Sequence, residues 1–350
     1  MSNEITSGHI NLKKQAEEAK KIEEYLALEK KKFQIESAEP RLLLLGSSDS
    51  GKSTFLKQLK ILHGKGFTPE ELQTGKENAL YNVLDAIEKA LESSSPEWIS
   101  QFQQILQFKE QNSSCTYFPD DIIQMIVKFY QNEELQKKVQ DLPNIPQTTT
   151  HFLEHISKIG QASYIMTNKD MLLLRTVTTC IQDMPFTTKD GPIHIIDVSG
   201  LKHHRKQWIP YFSNVLSIIF LVSLPSYNET MAEDPSMNRL QDSLNLFDYI
   251  VNHPMLTKPS IIVFFNKKDV FEQIILKYPL KDRFPGYNGP LNSCGACYSF
   301  IKSMFVSVNK NKSKTIMTHL TCCTDTSAMK KISQDIFTTV LLKATEDIGL

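Results

Sequence analysis

The stretch that most constrains this chain is residues 46–53, with the sequence GSSDSGKS. It fits the pattern G-x-x-x-x-G-K-[S/T] and follows the apolar run 42–45, which is typical of a short buried parallel strand. Glycine lets the backbone of such a loop wind closely, so that successive N–H groups point inward at the N-terminus of the next helix. The pattern therefore predicts a strand, a phosphate-binding loop and a helix over 54–63.

The side chains of this loop have separate expected tasks in binding a nucleoside phosphate. Lys52 supplies positive charge to the β- and γ-phosphate oxygens, and Ser53 offers a hydroxyl to Mg²⁺. The loop residues that we expect at the nucleotide are Gly46, Asp49, Ser50, Gly51, Lys52, Ser53 and Thr54.

Three further apolar runs, 193–197, 217–224 and 260–266, resemble the strand before the loop. Such runs, separated by helical stretches, predict an α/β fold with a mostly parallel sheet covered on both faces and ligands at the carboxyl ends of its strands. From about 66 to 169 the pattern changes to amphipathic helices, for example over 77–91, 119–130 and 149–159. We read 66–169 as an inserted helical domain within a domain formed by 39–65 and 170–350, preceded by a helix in 1–38.

The sequence Asn266-Lys-Lys-Asp269 follows one of these runs and suits a pocket for a purine base. The Asp269 carboxylate can accept hydrogen bonds from guanine N1–H and N2–H₂, whereas adenine has no such pair of donors. Asn266 would meet the N7 and O6 edge, and the aliphatic stem of Lys267 would lie across the base. A charged surface turn is the alternative, but the position after a strand and downstream of a phosphate loop favours guanine.

Residues 197–200, with the sequence DVSG, end the run 193–196. The Asp197 carboxylate is suited to hold Mg²⁺ through water, and the Gly200 N–H can turn toward a γ-phosphate.

Overall composition excludes several other classes of protein. Thirty-nine basic residues balance 39 acidic ones, so the net charge gives no field that favours nucleic acid. No run approaches the ~18 apolar residues of a membrane span, and we expect a cytoplasmic protein with reduced thiols. Cys294 and Cys297 form a C-x-x-C pair without a second pair at zinc spacing, and we expect incidental thiols in a loop before a helix over 298–304.

With these motifs placed, the chain resembles a heterotrimeric G-protein alpha subunit along nearly its whole length. More than 140 residues separate the phosphate loop from Asp197, which leaves room for the all-helical domain that this family inserts. Further likeness lies in residues 57–60 (KQLK), Trp208, Asn238-Arg239 and residues 321–326 (TCCTDT). The resemblance implies a Ras-like P-loop GTPase domain, an inserted helical domain and an N-terminal helix.

The resemblance also implies roles for residues that spacing alone does not identify. Arg175 corresponds to the built-in arginine finger, which stabilises charge on the transferred phosphoryl group, and this family is itself the standard example of that effect. Thr178 corresponds to the second Mg²⁺ ligand, and the backbone N–H of Cys323 to the donor that caps the guanine. Asp49 could pair with Arg175 and close the pocket over GTP or GDP.

Two departures from the family bear on catalysis. Leu201 stands where the family has the glutamine that orients the attacking water, and leucine has no hydrogen-bonding group. Ser48 replaces a glycine beside the γ-phosphate and would crowd the same water. We therefore expect a GTPase with slow hydrolysis that cycles between GDP and GTP downstream of a membrane receptor, or, alternatively, a GTP-locked binding module. A third reading, an ATP-dependent phosphotransferase, conflicts with Asn266 and Asp269.

The two ends of the chain indicate partners by the same resemblance. The charged helix over 10–36 would dock on a beta-gamma dimer, and the amphipathic stretch 336–350 resembles the tail that contacts a G-protein-coupled receptor. Effectors and a GTPase-activating regulator are further expected partners. Ser2 stands where myristoylation needs glycine, and no cysteine precedes Cys115, so we expect no N-terminal lipid anchor and only peripheral contact with the cytosolic face of the membrane, through partners.

Overall fold

The computed structural model describes residues 40–112, 114–142, 148–175, 181–188, 191–231, 234–291 and 293–348. The expected N-terminal helix in 1–38 and the expected magnesium ligand Thr178 lie outside the described residues. Among the residues described, no helix is both long enough and apolar enough to cross a membrane.

A six-stranded sheet forms the centre of the fold. Its strands are β1 (Arg41–Gly46), β2 (Gln182–Thr188), β3 (Gly191–Asp197), β4 (Ser217–Ser223), β5 (Ser260–Asn266) and β6 (Ile316–Leu320). They lie in the order β2-β3-β1-β4-β5-β6, and every neighbouring pair is parallel except β2 with β3. The expected mostly parallel sheet is confirmed.

Alternate side chains of β1 enter separate cores on the two faces of the sheet, because successive side chains of a strand point in opposite directions. Leu43 and Leu45 join one core cluster, whereas Leu42 and Leu44 join another. Both faces are thus covered, which explains why the central strands read as unbroken apolar runs.

In the described residues between the loop helix and the second strand, eight helices are present. The helix after the phosphate loop is α1 (Lys52–His63), and the next eight are α2 (Pro69–Glu92), α3 (Pro96–Gln101), α4 (Gln103–Gln111), α5 (Asp120–Gln131), α6 (Glu133–Asp141), α7 (Thr149–Glu154), α8 (Ile156–Ile159) and α9 (Asn168–Leu173). The described part of 69–173 contains no strand, and its apolar side chains form a core cluster of their own. These observations agree with the predicted helical insertion, while its boundaries stay a prediction.

The remaining helices flank the later strands. The α-helices are α10 (Arg239–Val251), α11 (Lys268–Ile274), α12 (Leu280–Arg283), α13 (Cys294–Ser307) and α14 (Thr326–Ile348), and 3₁₀ segments cover Lys202–Phe212, Leu224–Asn228 and Pro254–Leu256. On one face of the sheet, Phe247 of α10 packs against Phe305 of α13; on the other, His63 of α1 contacts Phe337 of α14.

The structure corrects the expected surroundings of the C-x-x-C pair. Helix α13 begins at Cys294 and not at 298, so both cysteines lie in its first turn and the expected loop is wrong. The reason is a local cap: the Ser293 hydroxyl accepts a hydrogen bond from the N–H of Ala296 and starts the helix early. Cys297 is fully buried, and both thiols are free.

Candidate nucleotide-binding site

The loop between β1 and α1 has the left-handed backbone geometry that its glycines permit. Gly46 has φ 146°, Gly51 has φ 103° and Asp49 has φ 59°. A Cβ atom on Gly51 would lie 2.2 Å from Nδ2 of Asn266, so only glycine fits there. The loop thus winds closely against the end of β5, as the motif predicts.

The ammonium group of Lys52 is buried inside this loop. Its Nζ donates to the carbonyl oxygen of Gly46 (2.9 Å) and to that of Ser47 (3.0 Å). Burial lowers the pKa of Lys52 to about 8, although the nearby Asp197 carboxylate works in the opposite direction. A Cβ atom on Gly200 would lie 2.4 Å from Lys52 Nζ, so the segment after β3 closes directly over the loop.

A cavity opens where the loop meets the segments after α9 and β3. It is lined by Ser48, Asp49, Ser50, Gly51, Lys52, Ser53, Thr54, Leu174, Arg175, Ser199, Gly200 and Leu201. The structure therefore brings together the predicted phosphate loop, the predicted arginine finger Arg175 and Leu201.

Asn266 links this phosphate end to the predicted base-recognition end. Its Nδ2 donates to the carbonyl oxygen of Ser50 (3.0 Å), and its Oδ1 accepts from the backbone N–H of Cys323 (3.0 Å) and from the Thr321 hydroxyl (3.3 Å). The Asn266 side chain is buried, whereas Asp269 is exposed in the first turn of α11. The predicted guanine residues Asn266, Asp269 and Cys323 thus lie near one another, and the Cys323 N–H is engaged with Asn266.

A group of charged side chains connects the loop to the far walls of the site. Lys267 Nζ lies 2.9 Å from Asp49 Oδ2, and Arg239 donates to the carbonyl oxygen of Ser48 (2.8 Å) while it pairs with Glu229 (2.6 Å). Burial works to raise the pKa of Asp49, but the charges of Lys267, Arg175 and Arg239 outweigh it and lower that pKa. The ion pairs of Asp49 run to Lys267 and Arg239, and its pairing with Arg175 stays a prediction.

The segment after β3 carries two polar contacts of its own. Nδ1 of His204 lies 2.9 Å from the Ser199 hydroxyl, and the Trp208 indole donates to the Ser199 carbonyl oxygen (3.1 Å). Leu201 lies two residues after Ser199 and is among the residues that line the cavity.

The chemistry of the nearby oxygen atoms suits Mg²⁺, which prefers hard oxygen ligands and keeps several waters. Ser53 lies at the base of the phosphate loop, and Asp197 is buried at the carboxyl end of β3 with its charge acting on Lys52. Both residues lie at the carboxyl ends of the strands, where the phosphate loop also lies.

Several contacts of the site escape sequence reasoning. The Arg239 hydrogen bond to Ser48 spans 191 positions, and Leu174 contributes to the cavity next to Arg175. Lys57 reaches the Leu174 carbonyl oxygen over 117 positions. No local sequence pattern predicts such contacts, because they depend on how distant segments of the chain pack.

Comparison with known proteins decides the family. The family model described as G-protein alpha subunit matches residues 16–340. This chain belongs to the G-protein alpha subunit family. Its curated relatives include the guanine nucleotide-binding protein alpha-8 subunit of Caenorhabditis elegans, 31% identical over 97% of this chain and 95% of that protein. The alpha-9 subunit of Dictyostelium discoideum is 35% identical over 90% and 92%, and the alpha subunit of Emericella nidulans is 33% identical over 83% and 85%.

Membership gives this G-protein alpha subunit its general class. Members of the family are GTP-binding GTPases of signal transduction, and they work with beta-gamma dimers, receptors and effectors. The six-stranded sheet, the phosphate loop and the helical stretch described above fit that fold.

Proposed function

We propose that this alpha subunit binds GTP and GDP with Mg²⁺, signals downstream of a membrane receptor, and hydrolyses GTP slowly because Leu201 cannot orient the attacking water. One observation carries the proposal: Leu201 lines the same cavity as Lys52 and Arg175. The cavity thus joins the groups that hold a phosphate to an apolar side chain where water has to be aimed.

Each residue has a task that its position supports. Lys52 carries positive charge at the phosphate oxygens, and Asn266 and Asp269 select guanine through its hydrogen-bonding edge. The Arg175 guanidinium neutralises charge that develops on the transferred phosphoryl group. Ser53, Asp197 and Thr178 would hold Mg²⁺, with Asp197 acting through water, and when bound the ion neutralises charge on the phosphate oxygens.

Single-turnover hydrolysis tests the role of Leu201. Alpha subunits with an arginine in cis hydrolyse GTP at about 10⁻² s⁻¹, a general value for this class. We expect the unmodified protein, called the parent below, to be at least ~10-fold slower. Leu201→Gln should restore hydrolysis, whereas Leu201→Met, an apolar control of similar size, should leave it slow. A parent that turns over at the class rate, or a Gln variant no faster than the Met variant, refutes the proposal.

The second candidate is a GTP-locked module that does not turn over. Ser48 favours it, because this residue adds a second obstacle in the cavity and its carbonyl is held by Arg239. The nucleotide that copurifies with the protein separates the two: GDP indicates turnover, and GTP indicates a stalled switch.

Partners follow from family membership and are part of the proposal. We propose binding to a beta-gamma dimer, a G-protein-coupled receptor and effectors, a GTPase-activating regulator as a further partner, and residence at the cytosolic face of a membrane through these proteins.

A further inference from the structure

Arg175 can act only if its guanidinium is aimed at the cavity, and a side chain on α1 holds the residue before it. Lys57 Nζ donates to the carbonyl oxygen of Leu174 over 2.6 Å. Among the described residues this carbonyl oxygen is the only polar partner of the Lys57 ammonium, and a charged donor makes such a bond stronger than a neutral one.

The position of Lys57 on its helix connects this contact to the nucleotide site. Lys57 follows Ser53 by four residues, so both side chains lie on the same face of α1. Lys57 is partly buried there, and burial lowers its pKa to about 8. Within the described part of the chain no acidic side chain pairs with Lys57, and a lysine buried without such a partner is costly, which indicates a specific use of its hydrogen bond.

Leu174 is fixed on its other sides as well. Its N–H donates to the Asp170 carbonyl oxygen (2.9 Å), and its side chain is buried in the core of the helical stretch. Helix α9, which ends at Leu173 just before it, has only six residues and starts at a capping box formed by Thr167 and Asp170. So short a helix holds its geometry only through such anchors, and Lys57 supplies the one at the end next to Arg175.

We propose that Lys57 is a positioning residue for Arg175: its ammonium group fixes the main chain at Leu174 and thereby aims the Arg175 guanidinium at the cavity. The inference rests on the proposed role of Arg175 in GTP hydrolysis. An arginine finger contributes about 10³–10⁵ in rate, and a displacement of about 1 Å costs about 10²-fold. Loss of the Lys57 hydrogen bond should therefore remove a large part of the Arg175 effect.

A double-mutant cycle in the Leu201→Gln background tests this, because hydrolysis in that background should be fast enough for a decrease in rate to be measured. Lys57→Met should lower the single-turnover rate by about 10²-fold, and in the presence of Arg175→Ala it should cause no further loss. Lys57→Arg, which keeps a charged donor, should restore part of the rate. The matched control is Lys60→Met: Lys60 lies on the same helix and pairs with Glu71 of α2, so it also links α1 to the helical stretch, but at a place away from Arg175.

The outcomes separate this inference from the proposed function. Equal losses with and without Arg175, no loss at all, or an equal loss from Lys60→Met would show a merely structural lysine and overturn the inference. If Leu201→Gln is no faster than the parent, the proposal about Leu201 fails. The Lys57 inference is then decided by the dissociation rate of a non-hydrolysable GTP analogue. Arg175→Ala should raise this rate. Lys57→Met should raise it when Arg175 is present and should have no effect in the Arg175→Ala variant.

Discussion

Asn266 joins three segments of the site, so its removal gives a prediction whose size follows from the structure. Alanine at this position leaves the Ser50 carbonyl oxygen and the Cys323 N–H without their partner in a buried place. Each buried polar group without a partner costs about 1–3 kcal/mol. We therefore expect Asn266→Ala to lower the free energy of unfolding by about 2–6 kcal/mol.

The assay is thermal unfolding without added nucleotide, because Asn266 is also proposed to contact guanine and a lost ligand would add to the shift. At about 2 °C per kcal/mol, the value for larger domains, the midpoint temperature of Asn266→Ala should fall by about 4–12 °C. Asn266→Asp keeps the volume and the acceptor for the Cys323 N–H but loses the donor to Ser50, so it should also be destabilised. Asn245→Ala changes an exposed asparagine and should leave the midpoint unchanged.

Two results would refute this reasoning. An unchanged midpoint for Asn266→Ala would mean that the three hydrogen bonds do not stabilise the site. A destabilised alanine variant with a fully stable Asp variant would refute the cost assigned to the Ser50 carbonyl oxygen, because Asp keeps the acceptor for the Cys323 N–H but not the donor to Ser50.

Two further predictions concern ion pairs and pH. Arg205 donates two hydrogen bonds, of 3.1 and 2.6 Å, to the buried Asp242 carboxylate. Arg205→Met leaves this buried charge without its partner and should lower the free energy of unfolding by about 3–5 kcal/mol, measured by chemical denaturation. Adding Asp242→Leu should recover much of that loss. Burial works to raise the pKa of Asp170, but hydrogen bonds from Thr167, Tyr164 and His151 outweigh it and lower the pKa from 3.8 to about 2. This lowered pKa contributes stability above about pH 4 that is lost as pH falls toward 2, so denaturant titrations across that range should show about 2 kcal/mol less acid destabilisation in Asp170→Asn than in the parent.

The sequence predicted the central strands well because their composition reflects burial on both faces. Strands β1, β4 and β5 read as continuous apolar runs, and their observed bounds differ from expectation by no more than one residue. The edge strands β2 and β6 were not predicted: β2 is largely exposed and contains Pro185, and β6 is short and only half-buried. Edge strands have one pairing partner and no obligatory apolar pattern, so their existence depends on the neighbour.

The site divides in the same way between local and long-range information. The phosphate loop and Asn266 belong to patterns whose chemistry is readable from adjacent residues, and the structure brings them together. The ion pair from Asp49 to Lys267 spans 218 positions, and the hydrogen bond from Lys57 to Leu174 spans 117. Spacing along the chain carries no information about such contacts, because they arise only when distant segments of the chain pack against each other.

The most direct test of the whole account is competition between GTP and ATP for the purified protein in the presence of Mg²⁺. A site that pairs with the hydrogen-bonding edge of guanine should prefer GTP by about 10⁴-fold or more, since adenine leaves its polar groups unpaired. We predict tight GTP binding that ATP does not displace at a thousandfold excess. Displacement by comparable ATP, or no GTP binding with Mg²⁺ present, would contradict the account.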